Sequence, residues 1–262
     1  MISGGSVNLN MSIETKRIIR SVVFAFLVLL FLLLASYLPS LFFIFSTVAI
    51  VLILIFFFFS QKSFAKPPFS NLSKIFLPIL LTLSLSSFAY FETNGIFKII
   101  ILLFGFFSFY LFFSRFDFPL PEEVGNKVTY FWLDFLIFIT AFLFYLEIYN
   151  FELAFRLPFF VVLLISVIFS FFLLHFNFWA RGRVSKFSLI FSLLYALSVL
   201  EILLTLSFWQ ENPVSKSLII LTALYFFSGV LDHKLKGSLR GKKILEYLLV
   251  SFFILVLIVL LR

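Results

Sequence analysis

Phe187–Phe208 reads FSLIFSLLYALSVLEILLTLSF, twenty-two residues of which one, Glu201, is charged. A helix needs about 20 apolar residues to cross roughly 30 Å of hydrocarbon. A barrel strand would alternate polar and apolar residues over about ten positions, and this run does not. It therefore predicts a membrane-spanning helix. Eight more stretches read the same way, near Ile18–Tyr37, Leu41–Phe59, Lys74–Phe91, Ile96–Ser114, Tyr130–Tyr149, Phe155–Phe176, Val214–Leu231 and Ile244–Leu261. The expected fold is all-α, a polytopic transmembrane helix bundle of about nine spans. Residues 1–17 form an N-terminal cytoplasmic tail and residues 18–262 a single transmembrane domain.

The composition agrees. Hydrophobic residues make up 63% of 262 positions and charged residues 12%, with a mean hydropathy of +1.19. A soluble domain carries roughly 25% charge, and a soluble core of this size could not hide the excess apolar surface. Prolines and Asn-Gly or Asn-Pro pairs fall between the runs. Pro39 breaks the first pair, Asn94-Gly95 marks the third connection, and Asn212-Pro213 opens the eighth span. The first two runs lie so close together that a re-entrant pair is the alternative to two full crossings.

Lys and Arg set the expected orientation. With the N-terminus inside and nine crossings, sixteen of the twenty basic residues fall on one side, leaving Lys98, Arg156, Lys216 and Arg262 on the other. The chain is thus expected in the cell membrane with its N-terminus cytoplasmic and its C-terminus external. Trp132 and Trp179 at inner ends, and Tyr37, Tyr90, Tyr149 and Trp209 at outer ends, read as interfacial anchors.

Intramembrane carboxylates are the first functional candidates, because an ionisable group at depth usually marks an ion or substrate path. Glu201 lies in the outer half of its span, with Ser198 and Thr205 on the same face. This polar stripe is expected to face the bundle interior, towards the helix carrying Thr140 and Glu147. Glu147 shares a face with Thr140. Glu92 and Glu147 also sit close enough to the outer interface to reach water and pair with Lys98, and Glu147 with Arg156. Glu92, Glu147 and Glu201 recur at intervals of 55 and 54 residues, the length of one helical hairpin, which suggests tandem hairpins. Asp134 reads as a capping or snorkelling carboxylate at an inner end.

Lys234, Lys236, Arg240, Lys242 and Lys243 crowd one inner connection. Such a cluster beside a span attracts anionic phospholipid at about 1 kcal/mol per charge. Cysteine is absent, which removes thiolate chemistry and Cys-based metal sites. No HExxH, GxSxG or GxxxxGK[ST] pattern is present, so no cofactor or metal is called for. The inner placement of the positive charge accounts for the net +8 without nucleic acid. The expected partners are the lipid bilayer, anionic phospholipid and other membrane proteins. The best-fitting role is a non-enzymatic membrane component (scaffold, assembly or lipid-binding). A transporter or ion-translocating subunit using the outer carboxylates, and a lipid-acting membrane enzyme, stand as alternatives.

Overall fold

The computed structural model describes residues 5–60, 68–114, 127–181, 185–208 and 212–260. Among them the chain is all-helical, with nine α-helices, one short 3-10 turn at Pro39–Leu41 and no strand. The helices are α1 Gly5–Tyr37, α2 Phe42–Ser60, α3 Pro68–Phe91, α4 Gly95–Ser114, α5 Lys127–Phe155, α6 Phe159–Ala180, α7 Lys186–Ser207, α8 Pro213–Leu235 and α9 Gly241–Leu260. Seven are long and apolar enough to cross a membrane, while Phe42–Phe58 in α2 and Ile75–Phe91 in α3 are shorter apolar stretches. The protein is membrane-embedded and helical, as the runs predict.

Several boundaries follow from local chemistry. Asn94 caps α4 by accepting from the backbone N–H groups of Ile96 and Phe97, and Asn212 caps α8 by accepting from Ser215 N at 2.7 Å. Ser185 and Ser188 form a reciprocal capping box at the start of α7. Helix α1 begins at Gly5, ahead of its membrane-spanning stretch, which keeps the predicted bounds Ile18–Tyr37. One connection departs from expectation. Helix α5 continues to Phe155, and α6 starts at Phe159 rather than Phe155. Pro158 sets the second boundary, since a proline ring clashes with a preceding helical turn.

The chain forms two compact units, residues 1–71 with 78–118, and residues 72–77 with 119–262. In the first, α1 packs against both α2 and α4. Phe24, Phe56 and Phe113 meet between these three helices, with ring centroids 4.3–6.3 Å apart. Gly105 on α4 lets a Leu85 methyl of α3 lie 2.7 Å from where a Cβ would be. In the second unit, α5 packs on α8 and α6, α6 on α7, and α8 on α9. Phe144 and Phe169 stack flat, 3.5 Å apart at 2°. Such ring pairs are worth about 0.5–1.5 kcal/mol each, which matters where lipid removes the hydrophobic drive between helices.

The buried faces of these helices mix apolar residues with small hydroxylated ones. On α7 the buried residues are Ser188, Ser192, Tyr195, Ala196, Val199, Leu203 and Leu206. On α8, Ser217, Thr222, Ser228 and Asp232 are buried. Small and hydroxylated side chains allow close backbone approach and return their hydroxyl protons to the helix's own carbonyls, as Ser192 does to Ser188 O at 2.8 Å. Tyr149 and Trp179, expected as interfacial anchors, are buried at 4% and 3% exposure. Helix α9 is the reverse case, with Ser251 its only buried residue among those described.

Candidate functional site

Three helices of the second unit bring charged groups to one end. Asp134 lies on α5, two turns past its start. Arg181 caps the C-terminus of α6, and Asp232 lies in the last turn of α8. Arg181 donates from Nη2 to Asp134 Oδ1 and from Nε to Asn177 Oδ1 at 2.9 Å. Its Nη1 lies 3.4 Å from Asp232 Oδ1, and Lys236 Nζ holds Asp232 Oδ2 at 2.9 Å. Two anions and two cations thus balance, with a cation at the C-terminal end of each of two helix dipoles. Asp134 is therefore an ion-pair partner, not a simple cap.

Towards the other end of α5, Thr140 and Glu147 are both buried. The shared face predicted for them is an interior one. Glu147 is 3% exposed and accepts from Asn150 Nδ2 at 3.3 Å. Its side chain lies in the interior of the unit, and α5 runs on for two further turns beyond it. Tyr145 and Ser170 hydroxyls meet at 2.5 Å, and Ser170 passes its own proton to Ser166 O at 2.6 Å. The Tyr195 hydroxyl approaches that of Tyr145 without meeting hydrogen-bond geometry. Tyr149 carries Lys216 Nζ over its ring at 5.2 Å.

Glu201 is placed otherwise than expected. It is exposed, two residues from both Val199 and Leu203 and so about 200° around the helix from that buried face. Thr205 is exposed too. The Ser198–Glu201–Thr205 stripe therefore does not turn towards α5. Nor is it a network: Ser198 donates to Leu194 O at 3.0 Å and Thr205 to Glu201 O at 2.9 Å, so neither hydroxyl proton reaches the carboxylate. Glu201 instead lines an open groove of about 500 Å³ between α7, α8 and α9, with Thr205, Ile202, Leu206, Ile219, Leu255, Ile258 and Val259.

The remaining candidates are scattered. Glu92 accepts from Asn94 N at 2.7 Å and so serves the α3–α4 turn, while Lys98 lies 5.9 Å over the Tyr37 ring. Arg156 is exposed in the α5–α6 connection with φ 49°. The basic turn is partly neutralised. Lys236 pairs with Asp232 and Lys243 with Glu246 at 2.6 Å, and Lys234 Nζ sits 5.1 Å over the Phe191 ring. Arg240 and Lys242 are exposed. The turn itself is a Schellman closure: Gly237 has φ +66°, Ser238 N donates to His233 O at 3.0 Å, and Gly237 N donates to Lys234 O at 3.0 Å. The basic Arg183 and Arg262, and the anchor Trp209, lie outside the described residues.

The three glutamates spaced by a hairpin length occupy three environments: a turn, a buried helix face and an open groove. The Asp134–Arg181–Asp232 cluster was visible in the sequence only as isolated charges at inner helix ends. Equal depth on neighbouring helices was the one available signal for it.

Residues 40–261 match the family described as protein of unknown function, DUF5656. The chain belongs to this family. No curated protein and no solved structure matches it. Family membership thus covers eight of the nine helices, including the ion cluster, Glu147 and the Glu201 groove.

Proposed function

We propose that this DUF5656 protein is a non-enzymatic membrane component that docks an apolar, membrane-embedded partner in the α7–α8–α9 groove. The observation that supports it is the groove's chemistry: six aliphatic walls, one carboxylate and one hydroxyl, open at the side. A path for water or ions would be lined by polar groups, whereas this wall suits hydrocarbon. The cell membrane, with the N-terminus cytoplasmic and the C-terminus external, is the setting that the 16-to-4 charge bias favours. A photo-cross-linking residue at Val259 in native membranes tests the reading. A discrete protein adduct at Val259, absent from the exposed Phe160 and lost when Ile219→Trp fills the groove, supports it. Lipid adducts alone at both positions overturn the assembly role.

A second reading, ion translocation, draws on a different observation. Tyr149 on α5, Ser166 on α6 and Tyr195 on α7 carry buried hydroxyls that no described residue satisfies. Buried polar groups need partners, and water or a small cation would supply them. Proteoliposomes separate the readings: ion flux abolished by Glu147→Gln favours this one, and an ion-tight wild-type protein removes it.

A further inference from the structure

In lipid, exposed Leu, Ile and Phe need no explanation, because acyl chains suit them. Glu201 does. It lies six residues from the Ser207 end of α7, about 9 Å along the helix axis, and an unpaired charge at such depth costs several kcal/mol. Among the described residues it has no hydrogen bond or ion pair, and the Ser198 and Thr205 protons are spent on backbone carbonyls. Its own helix therefore offers no donor. Thr205, one turn outward on the same groove wall, keeps hydroxyl lone pairs free to accept. Carboxylate and hydroxyl oxygen together present two acceptors, one turn apart, inside an aliphatic cleft.

We infer that the groove receives a transmembrane helix of a partner protein carrying one Lys or Arg at the depth of Glu201. This rests on the docking role proposed above and names the partner's chemistry. An acyl chain carries no donor, and the Ser207 end of α7, from which a headgroup amine would have to reach in, is about 9 Å along the helix axis from Glu201. A basic side chain between apolar neighbours answers both parts of the groove: aliphatic flanks for the walls, and several N–H donors for Glu201 and Thr205. Intramembrane charges persist where they pair in this manner.

The test uses the purified full-length protein in phosphatidylcholine vesicles with fluorescent 22-residue Leu/Ala helices. One carries a single Lys six residues from its outer end, one has Leu there, and one has Glu. The Lys helix binds roughly tenfold more tightly than the Leu helix, the scale of an interhelical polar contact in lipid. Glu201→Gln abolishes that preference while Leu-helix binding persists, and Glu201→Lys transfers the preference to the Glu helix. If Lys and Leu helices bind the wild type alike, or the Lys preference survives Glu201→Gln, the inference falls and the groove reading stands. If no helix binds, the groove reading falls with it. Displacement of the Lys helix by phosphatidylethanolamine would give the site to an aminophospholipid and overturn the helix partner.

Discussion

Arg181, at the C-terminus of α6, donates a hydrogen bond to Asp134, forty-seven positions earlier on α5. The same guanidinium faces Asp232 of α8, so one side chain fastens three helices at one end. Arg181 is 14% exposed, Asp232 11% and Asp134 36%. Removing one partner of a buried pair costs about 3–5 kcal/mol, because the other charge stays buried. Solvent screens the more exposed pair. Arg181→Met should therefore destabilise most, by about 3 kcal/mol, Asp232→Asn nearly as much, and Asp134→Asn least, by about 1 kcal/mol. Thermal unfolding in detergent reads this order. Three equal and small losses would mean that the cluster does not fasten the helices.

Gly229 supports the attachment of α9. A Cβ there would fall 2.2 Å from the Tyr247 ring, so the aromatic lies directly on the α8 backbone. At Gly105 the nearest atom is a Leu85 methyl at 2.7 Å, and a methyl can rotate away where a ring cannot. Gly229→Ala should cost about 1–3 kcal/mol through overpacking and expose the α8–α9 turn to protease. Gly105→Ala should cost less. Equal melting temperatures for the two variants would remove the distinction.

The helices were legible in the sequence, and their facing was not. Continuous apolar runs predict spans, and Asn94 and Asn212 mark their starts, because capping is local chemistry. Apolar residues are spread all around helix α7, so no single hydrophobic face tells which residues turn inward. It carries two polar stripes. The weaker, Ser188–Ser192–Tyr195, is the buried one, and the stronger, with Glu201, is not. Charge singles out Glu201 in the sequence, whereas small size and close packing decide burial between helices in lipid. Pro158 carries a boundary signal of its own, but it lies inside an apolar run that composition alone extends back to Phe155. The Asp134–Arg181–Asp232 cluster needed tertiary knowledge, since helices 5, 6 and 8 had to be placed side by side.

The basic turn makes a sharper prediction once its ion pairs are known. Asp232 and Glu246 already engage Lys236 and Lys243 and Lys234 lies over the Phe191 ring, which leaves Arg240 and Lys242 as the other exposed cations, near the start of α9. If the turn holds anionic phospholipid, Arg240→Gln with Lys242→Gln should lower co-purified acidic lipid nearly as far as neutralising all five residues. At about 1 kcal/mol per charge, each removal weakens binding roughly fivefold. Lys236→Gln should chiefly lower thermal stability. Lipid loss that tracks Lys236 and Lys243 instead would refute this division of roles.

Topology is the widest prediction, because it fixes which side each candidate faces. Nine crossings with the N-terminus inside place Asp117 and Arg183 in the cytoplasm, and Asn94 and Glu211 outside. Reporter fusions at those four positions should read accordingly. The odd count depends on α2 and α3, the helices whose apolar stretches, Phe42–Phe58 and Ile75–Phe91, are shortest. A fusion at Lys62 is therefore the critical one. A cytoplasmic signal at Lys62 with an external signal at Ser40 makes α2 a full crossing. If Lys62 and Ser40 read alike, α2 re-enters its own side. The charge bias then loses its basis, since Lys62, Lys66 and Lys74 would move to the outer face. Substituting those three lysines with glutamine supplies the matching control. A topology set by local charge should become mixed at Lys62 while the fusion at Arg183, guarded by its own basic cluster, keeps its cytoplasmic signal.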